Sequence, residues 1–403
     1  MPPVICRVKL ASSPRRRRRD ITTPYHGFEQ GPIRPPSEAN SLLIRVTRNC
    51  PWNRCSFCPV YKTATFSVRP VEHVKKDIDL VYEYVEILRV NAGATGAVTP
   101  DAIRSIRKTV PSEEAPAYAA AFGWMFGGGM KSVFLQDANS LVVKPPDLIE
   151  VLLHLRRRFP SVERITSYAR ARTVARKNDR DLSAIREAGL DRLHVGLESG
   201  CDDVLAMVNK GSTKSVQIEA GLKAKKAGFE LSEYVIPGLG GRAHSSLHAL
   251  ETADALNRIN PHFIRLRTLA IPPHAPLFEA QRAGRFKKCS DVMVVGEILT
   301  FIEALDGITS TLTSDHVLNL FAELEGEFPR DKNMMIDLLK AFLSLPTEEQ
   351  RMYQLGRRMG VFVRLGDLDD PIRRKRVEQA RGSLGVTADN IDETTDEMMI
   401  RFI

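Results

Sequence analysis

The chain has 403 residues, 43% of them hydrophobic, and carries 58 lysines and arginines against 49 aspartates and glutamates, a net charge of +9. That apolar content supports a large buried core and excludes a disordered or fibrous protein, and no uninterrupted apolar stretch approaches the length of a membrane span. Six cysteines without a disulfide spacing, and an N-terminus lacking an apolar core with a small-residue cleavage site, point to a soluble protein of a reducing cytoplasm.

Five of the positive charges are consecutive, Arg15 to Arg19, set among Ser12, Ser13 and Pro14 and followed by Pro24, Pro32, Pro35 and Pro36. Residues 1–37 therefore read as a flexible basic arm, either a solvated tail or a segment that docks on nucleic acid or another polyanion. Ser41 to Thr47 is the first expected strand, and its end delivers Arg48-Asn49-Cys50-Pro51-Trp52-Asn53-Arg54-Cys55-Ser56-Phe57-Cys58-Pro59. Three thiolates in one tight loop, with no fourth cysteine nearby, can hold three irons of a 4Fe-4S cluster and leave the fourth open to a substrate or cofactor. A structural zinc site would need a fourth ligand, which His26 and His73 do not supply by spacing, and three free thiols are the remaining reading.

Further along, Pro70 to Val90 has helical spacing, residues 91–112 read as an irregular insertion rich in Ala, Gly, Thr and Pro, and a helix is expected from about Glu114 to Met125. Gly127-Gly128-Gly129 precedes a strand, lacks a phosphate-binding context and reads as the end of that helix. Strands follow at Ser132–Gln136, Glu163–Tyr168, Arg192–Leu197, Glu230–Ile236 and Phe263–Leu269, each separated from the next by a helical pattern, with a weaker strand at Thr309–Thr313 and a mostly helical, charged region after Asn319. Alternation of this kind implies βα units around a parallel sheet, whose functional groups gather at the C-terminal strand ends.

The cysteine run resembles the cluster loop of the radical S-adenosylmethionine (radical SAM) enzymes, in which an aromatic residue precedes the last cysteine, as Phe57 does. It departs from the usual pattern in having four residues, not three, between the first two cysteines. The resemblance implies Cys50, Cys55 and Cys58 as cluster ligands, a SAM molecule chelated at the open iron, and a one-electron reductant such as flavodoxin or ferredoxin. In that family one electron cleaves SAM to methionine and a 5′-deoxyadenosyl radical.

The fourth main strand ends His194-Val195-Gly196-Leu197-Glu198-Ser199-Gly200 and continues to Asn209-Lys210-Gly211. This is similar to segments of the branch holding oxygen-independent coproporphyrinogen oxidase and the radical acetyltransferase subunit of Elongator. The match implies that Glu198 and Ser199 face the ribose or methionine of SAM and that Lys210 pairs with its carboxylate; read without it, Lys210 is an ordinary surface lysine. By position alone, Gln136, Asp137 and Ala138 stand where the family holds the SAM amino group, although the segment also reads as an Asx turn.

Weaker candidates are Ser167 and Tyr168 at the third strand end and Glu233 on the fifth, before the Pro237-Gly238-Leu239-Gly240-Gly241 turn. Arg265 and Arg267 share one face of the sixth strand, where they favour an anionic substrate if they point inward and are uninformative if they point outward. Asp315 and His316 could relay a proton, or form a helix cap beside a surface histidine. The expected fold is α/β, a partial (β/α)6 TIM-type barrel over residues 38–315 with a helical C-terminal extension over 316–403. The expected function is reductive SAM cleavage followed by hydrogen abstraction from an unidentified substrate. The competing reading is an iron-sulfur or zinc binding module that holds nucleic acid through its basic arm.

Overall fold

The computed structural model describes residues 24–92 and 98–401, so the Arg15 to Arg19 run lies outside the described residues. In chain order the elements are β1 (Leu42–Arg45), β2 (Thr47–Arg48), β3 (Ser67–Val68), α1 (Val71–Val90), α2 (Pro100–Thr109), α3 (Ala115–Gly127), β4 (Ser132–Gln136), α4 (Pro145–Arg158), β5 (Arg164–Ala169), α5 (Ala171–Arg176), α6 (Asp179–Glu187), β6 (Arg192–Glu198), α7 (Asp202–Met207) and α8 (Lys214–Lys226). They continue with β7 (Glu230–Val235), α9 (Gly241–Ile259), β8 (Phe263–Leu266), α10 (Pro276–Arg282), α11 (Asp291–Ala304), β9 (Thr311–Thr313), β10 (Gly326–Glu327), α12 (Lys332–Ser344), α13 (Thr347–Arg358), α14 (Pro371–Ser383) and α15 (Ile391–Ile400).

The main sheet runs β1-β4-β5-β6-β7-β8-β9-β10, parallel from β1 to β9 with β10 antiparallel on the last edge, which is the open, partial barrel expected. Alternation along each strand sorts its side chains. Val133, Leu135, Ile165, Leu193, Val195, Leu231 and Ile264 join the main core under the helices. The opposite face presents Phe134, Tyr168, His194 and Tyr234, whose rings meet at centroid distances of 5.0 to 6.3 Å inside the barrel. Local signals set the helices. Two prolines and Asp147 open α4 and three arginines close it, while Asn178 and Ser290 cap α6 and α11 by accepting the N–H of Asp181 and Met293. The C-terminal helices continue the same core through Met335, Leu339, Phe342, Tyr353 and Val377, joined by Phe362 from the loop after α13.

Four expectations change. The strand read as Ser41 to Thr47 breaks after Arg45, because Thr47 and Arg48 leave the main sheet to pair with Val68 and Ser67. Within 91–112, read as irregular, residues 100–109 form a helix capped by Thr99, whose hydroxyl accepts the Ala102 N–H; residues 93–97 lie outside the described residues. The sixth strand stops at Leu266, level with Val235 at the end of β7 and one residue past its last pairing with β9. The weak strand expected at Thr309–Thr313 is present but shorter, as β9 over Thr311–Thr313, between β8 and β10 in the main sheet. Gly128 follows α3 as its C-terminal cap, as read. Among the described residues no helix is long and apolar enough to cross a membrane.

Candidate functional site

The cysteine loop leaves the short β2 and folds back over the C-terminal end of β6. Asn49 and Asn53 take left-handed backbone angles, φ 68° and 47°, which an Asn accepts more readily than most residues. The Asn53 amide N–H reaches Cys50 Sγ at 3.4 Å, and Lys62 Nζ donates to the carbonyls of Asn53 (3.2 Å) and Cys55 (2.6 Å). Three contacts then tie the loop to the segment after β6. The Trp52 indole N–H donates to Asn209 O (2.8 Å), the Ser56 N–H donates to Val208 O (2.9 Å), and Lys210 Nζ stands 5.9 Å from the centre of the Phe57 ring. The two most specific sequence segments, far apart in the chain, therefore form one site.

Cys50, Cys55 and Cys58 are each half-buried and unbridged. Burial pushes the Cys55 and Cys58 thiols up, while the charges of Lys210 and Arg170 pull Cys55 down and the Val60 N–H pulls Cys58 down. Among the described residues no three His, Cys, Asp or Glu side chains converge on a position for a single metal ion. Coordination to a cluster would deprotonate the thiols outright, removing the cost of burial as thiolates.

Beside the loop, the pairing of β6 with β7 shifts register between Gly196 and Glu198, and Glu198 adopts φ 64°. That bulge aims its carboxylate at Lys210, whose Nζ lies 2.8 Å from Oε1 with both side chains mostly buried. A Cβ on Gly196 would fall 2.2 Å from Glu198 Oε1 and 2.9 Å from Lys210 Nζ, so a side chain there would displace the ends of this ion pair. Ser199, by contrast, is fully buried with its hydroxyl shared between His248 Nδ1 (2.8 Å) and the Cys201 N–H (3.0 Å).

The other sequence candidates separate by what their polar atoms already hold. Gln136 spends its side-chain amide on Gly31 N (2.8 Å), Gly31 O (3.2 Å) and Ile33 O (2.7 Å). Asp137 accepts from Arg45 (2.7 Å), the Asn49 N–H (3.0 Å) and the Tyr61 hydroxyl (3.0 Å), so it braces the start of the cysteine loop from a fully buried position. Ala138 sits half-buried at the strand end. Ser167 donates back to Leu135 O (3.2 Å). Tyr168 stands in the aromatic cluster, which desolvates its phenol and holds the pKa well above the ordinary value. Glu233 shares its strand face with Leu231 and Val235, and burial pushes its carboxyl well above the carboxylate range while Lys210 opposes. Arg265 and Arg267 point into the barrel mouth, bonded to Ser232 and stacked on Tyr234 respectively. Burial lowers His316 to about 4.

Sequence reasoning missed Arg170, which stacks on Trp52 at 5.0 Å and donates to Lys210 O at 2.6 Å. Its place two residues past Tyr168, at a strand end, was the available signal. Asn139 fixes it by accepting the Arg170 N–H at 3.2 Å.

A family description, the Radical SAM superfamily, matches residues 44–252, more than half of the chain. No curated protein matches the sequence. Among solved structures the chain is similar to Elp3 of the archaeon Methanocaldococcus infernus with residues 1–46 deleted (14% identity, TM-score 0.40, covering 50% of this chain and 53% of that one). It is also similar to coproporphyrinogen III oxidase of Escherichia coli, a radical SAM enzyme (17%, 0.42, 65% and 52%), and to methylornithine synthase (15%, 0.41, 76% and 84%). The chain thus spans about half the length of the first two. The matched residues carry the cysteine loop, the Glu198 bulge and Lys210, and the chain belongs to the Radical SAM superfamily.

Proposed function

We propose that this chain is an enzyme that reductively cleaves S-adenosylmethionine at a 4Fe-4S cluster held by Cys50, Cys55 and Cys58, and directs the resulting radical to a hydrogen atom of a second substrate. The observation that carries the reading is the docking of the cysteine loop onto the Glu198–Lys210 segment through Trp52, Ser56 and Phe57. When bound, the cluster and SAM supply the electron transfer and the 5′-deoxyadenosyl radical, chemistry that no side chain here provides.

The protein's own groups have narrower tasks. Lys210 offers an ammonium to the SAM carboxylate, and Glu198 offers acceptor oxygens to a ribose diol. Their mutual pairing keeps both charges compensated before the cofactor arrives, avoiding the cost of an isolated buried charge. Asp137 acts through Arg45, Asn49 and Tyr61 to hold the loop, and Gln136 and Ser199 position neighbouring backbone. The ring cluster of Phe134, Tyr168, His194 and Tyr234 fills the barrel beneath the site and excludes water from it.

The electron would come from a one-electron carrier of the flavodoxin or ferredoxin kind. The test is anaerobic reconstitution with iron and sulfide, reduction, and electron paramagnetic resonance before and after SAM. A cluster signal that SAM alters supports the reading, and a cluster signal indifferent to SAM refutes it.

A further inference from the structure

Two strands along from Glu198, β8 and the end of β9 bring Arg265, Arg267, Thr313, Asp315 and His316 together at the barrel mouth. Arg265 Nε donates to Ser232 Oγ (3.1 Å), and the Arg267 guanidinium lies 4.4 Å from the centre of the Tyr234 ring. Each arginine then gives an N–H to a different oxygen of one carboxylate: Arg265 Nη1 to Asp315 Oδ2 (2.5 Å) and Arg267 Nη1 to Asp315 Oδ1 (2.7 Å). A single carboxylate thus bridges two guanidinium groups, each giving it one charge-assisted N–H bond.

The arrangement is incomplete as a permanent structural ion pair. Arg267 Nη2, Thr313 Oγ1 and His316 Nδ1 are buried polar atoms without a hydrogen-bond partner. Thr313 is the register partner of Arg265, and the His316 imidazole feels the charges of both Arg267 and Asp315, so the three belong to one neighbourhood. A buried polar atom left without a partner destabilises the fold, and three around one ion pair mark a place that a ligand completes. Exposure also differs across the pair. The Asp315 side chain is 27% exposed on the loop leaving β9, whereas that of Arg265 is 6% exposed. Asp315 can turn to water; Arg265 cannot, and would be left needing another anion.

Tyr234 connects this group to the rest of the mouth. Its ring is 6.2 Å from that of Tyr168, which in turn feels the charges of Arg267 and Glu198. A ligand on the arginines would therefore sit across two tyrosine rings from the Glu198–Lys210 pair.

We propose that Arg265 and Arg267 bind a carboxylate of the second substrate, that Asp315 occupies the place of this carboxylate when the substrate is absent, and that Arg267 Nη2, Thr313 Oγ1 and His316 Nδ1 complete the site. Calling the ligand a substrate rests on the proposed radical SAM function; the carboxylate site itself does not. A carboxylate is favoured over a phosphate because the group that already satisfies both arginines is planar and offers them two oxygens.

The experiment is calorimetric titration of succinate, its neutral diamide and inorganic phosphate into the full-length, reconstituted protein and into Asp315→Asn, Arg267→Lys and the Arg267→Lys/Asp315→Asn double variant. Succinate should bind about tenfold more tightly to Asp315→Asn than to the wild type, and the double variant should lose that gain, since a lysine cannot present the Nη1 and Nη2 donors together. Asp315→Asn should also melt at lower temperature and be restored by succinate, because two arginines then lack their counter-ion. Succinate binding no tighter to Asp315→Asn than to the wild type, or phosphate or the diamide matching succinate, overturns the proposal. Formation of 5′-deoxyadenosine is measured on the same wild-type preparation. Cleavage of SAM without the succinate effect rejects the carboxylate site alone, and the succinate effect without cleavage rejects the reaction alone.

Discussion

The Trp52 indole lies against Gly211, close enough that a Cβ at position 211 would fall 2.4 Å from ring atom Cζ2, while the indole N–H is bonded to Asn209 O at 2.8 Å. Gly211 also takes φ +69°, in the left-handed region. This contact joins the cysteine loop to the Lys210 segment. Gly211→Ala is expected to lose about 1–2 kcal/mol from the backbone strain alone and to push Trp52 off its seat. The expected outcome is a lower melting temperature and reduced iron retention after reconstitution, measured by iron content per chain. Full iron content with unchanged melting would show that the contact does not hold the loop.

Lys210→Ala should weaken SAM binding about tenfold, or ~1.4 kcal/mol, the scale of one charge-assisted hydrogen bond. Equilibrium dialysis with the reconstituted protein measures it, alongside an iron content that should match the wild type, because Lys210 is not a cluster ligand in this account. An unchanged affinity would remove Lys210 from the site.

Glu297, on α11, accepts the Gly238 N–H (2.6 Å) and the Ser245 hydroxyl, and burial raises its carboxyl from 4.5 to about 7. Between those values the folded protein holds a proton that the unfolded chain has released, so this group's contribution to stability falls as pH rises. The whole effect amounts to roughly 3 kcal/mol, complete above the folded value. Glu297→Gln keeps a neutral amide with an acceptor for Gly238 and a donor for Ser245. Its stability relative to the wild type should therefore improve as pH rises from about 5 to about 8, measured by urea unfolding. The comparison separates Glu297 from His194 and His316, whose folded values near 4 cost stability as pH falls below 6.5, whereas His248, with Nε2 3.5 Å from Glu297 Oε1, shares its surroundings and changes with it. A pH-independent difference between the two proteins would refute the assignment.

Deletion of residues 1–22 should leave cluster assembly and SAM cleavage intact. Among the described residues, the segment before β1 supports the cysteine loop through the Tyr25 hydroxyl on Asp77 (2.7 Å) and the Glu29 carboxylate on Arg48 (2.6 and 2.8 Å), both outside the deleted stretch. Loss of iron binding in the truncated protein would assign the arm a structural role.

How far the sequence reveals this arrangement depends on the range of the signal. The βα alternation and the cysteine run are local, and both the sheet and the loop were legible from them. Helix α2 was missed, although Thr99, Pro100 and Asp101 open it and Arg107 and Lys108 close it, because the flanking Ala-Gly-Thr run made the whole stretch read as irregular. Pairings made across the chain left no local trace. Nothing near Trp52 announces Asn209, 157 residues away, and nothing in Val133-Phe134-Leu135-Gln136 shows that the Gln136 amide is spent on residues 31 and 33. Whether Arg265 and Arg267 point inward was likewise undecidable from alternation alone; Asp315, some 50 residues on, settles what they hold.

The most direct test of the account compares 5′-deoxyadenosine formation by the wild-type protein and Cys55→Ala, each reconstituted anaerobically with iron and sulfide, reduced and given SAM. The account predicts that the wild type forms 5′-deoxyadenosine and that Cys55→Ala holds no intact cluster and forms none. Formation by Cys55→Ala at the wild-type rate, or none by a wild-type protein that carries its cluster, would contradict it.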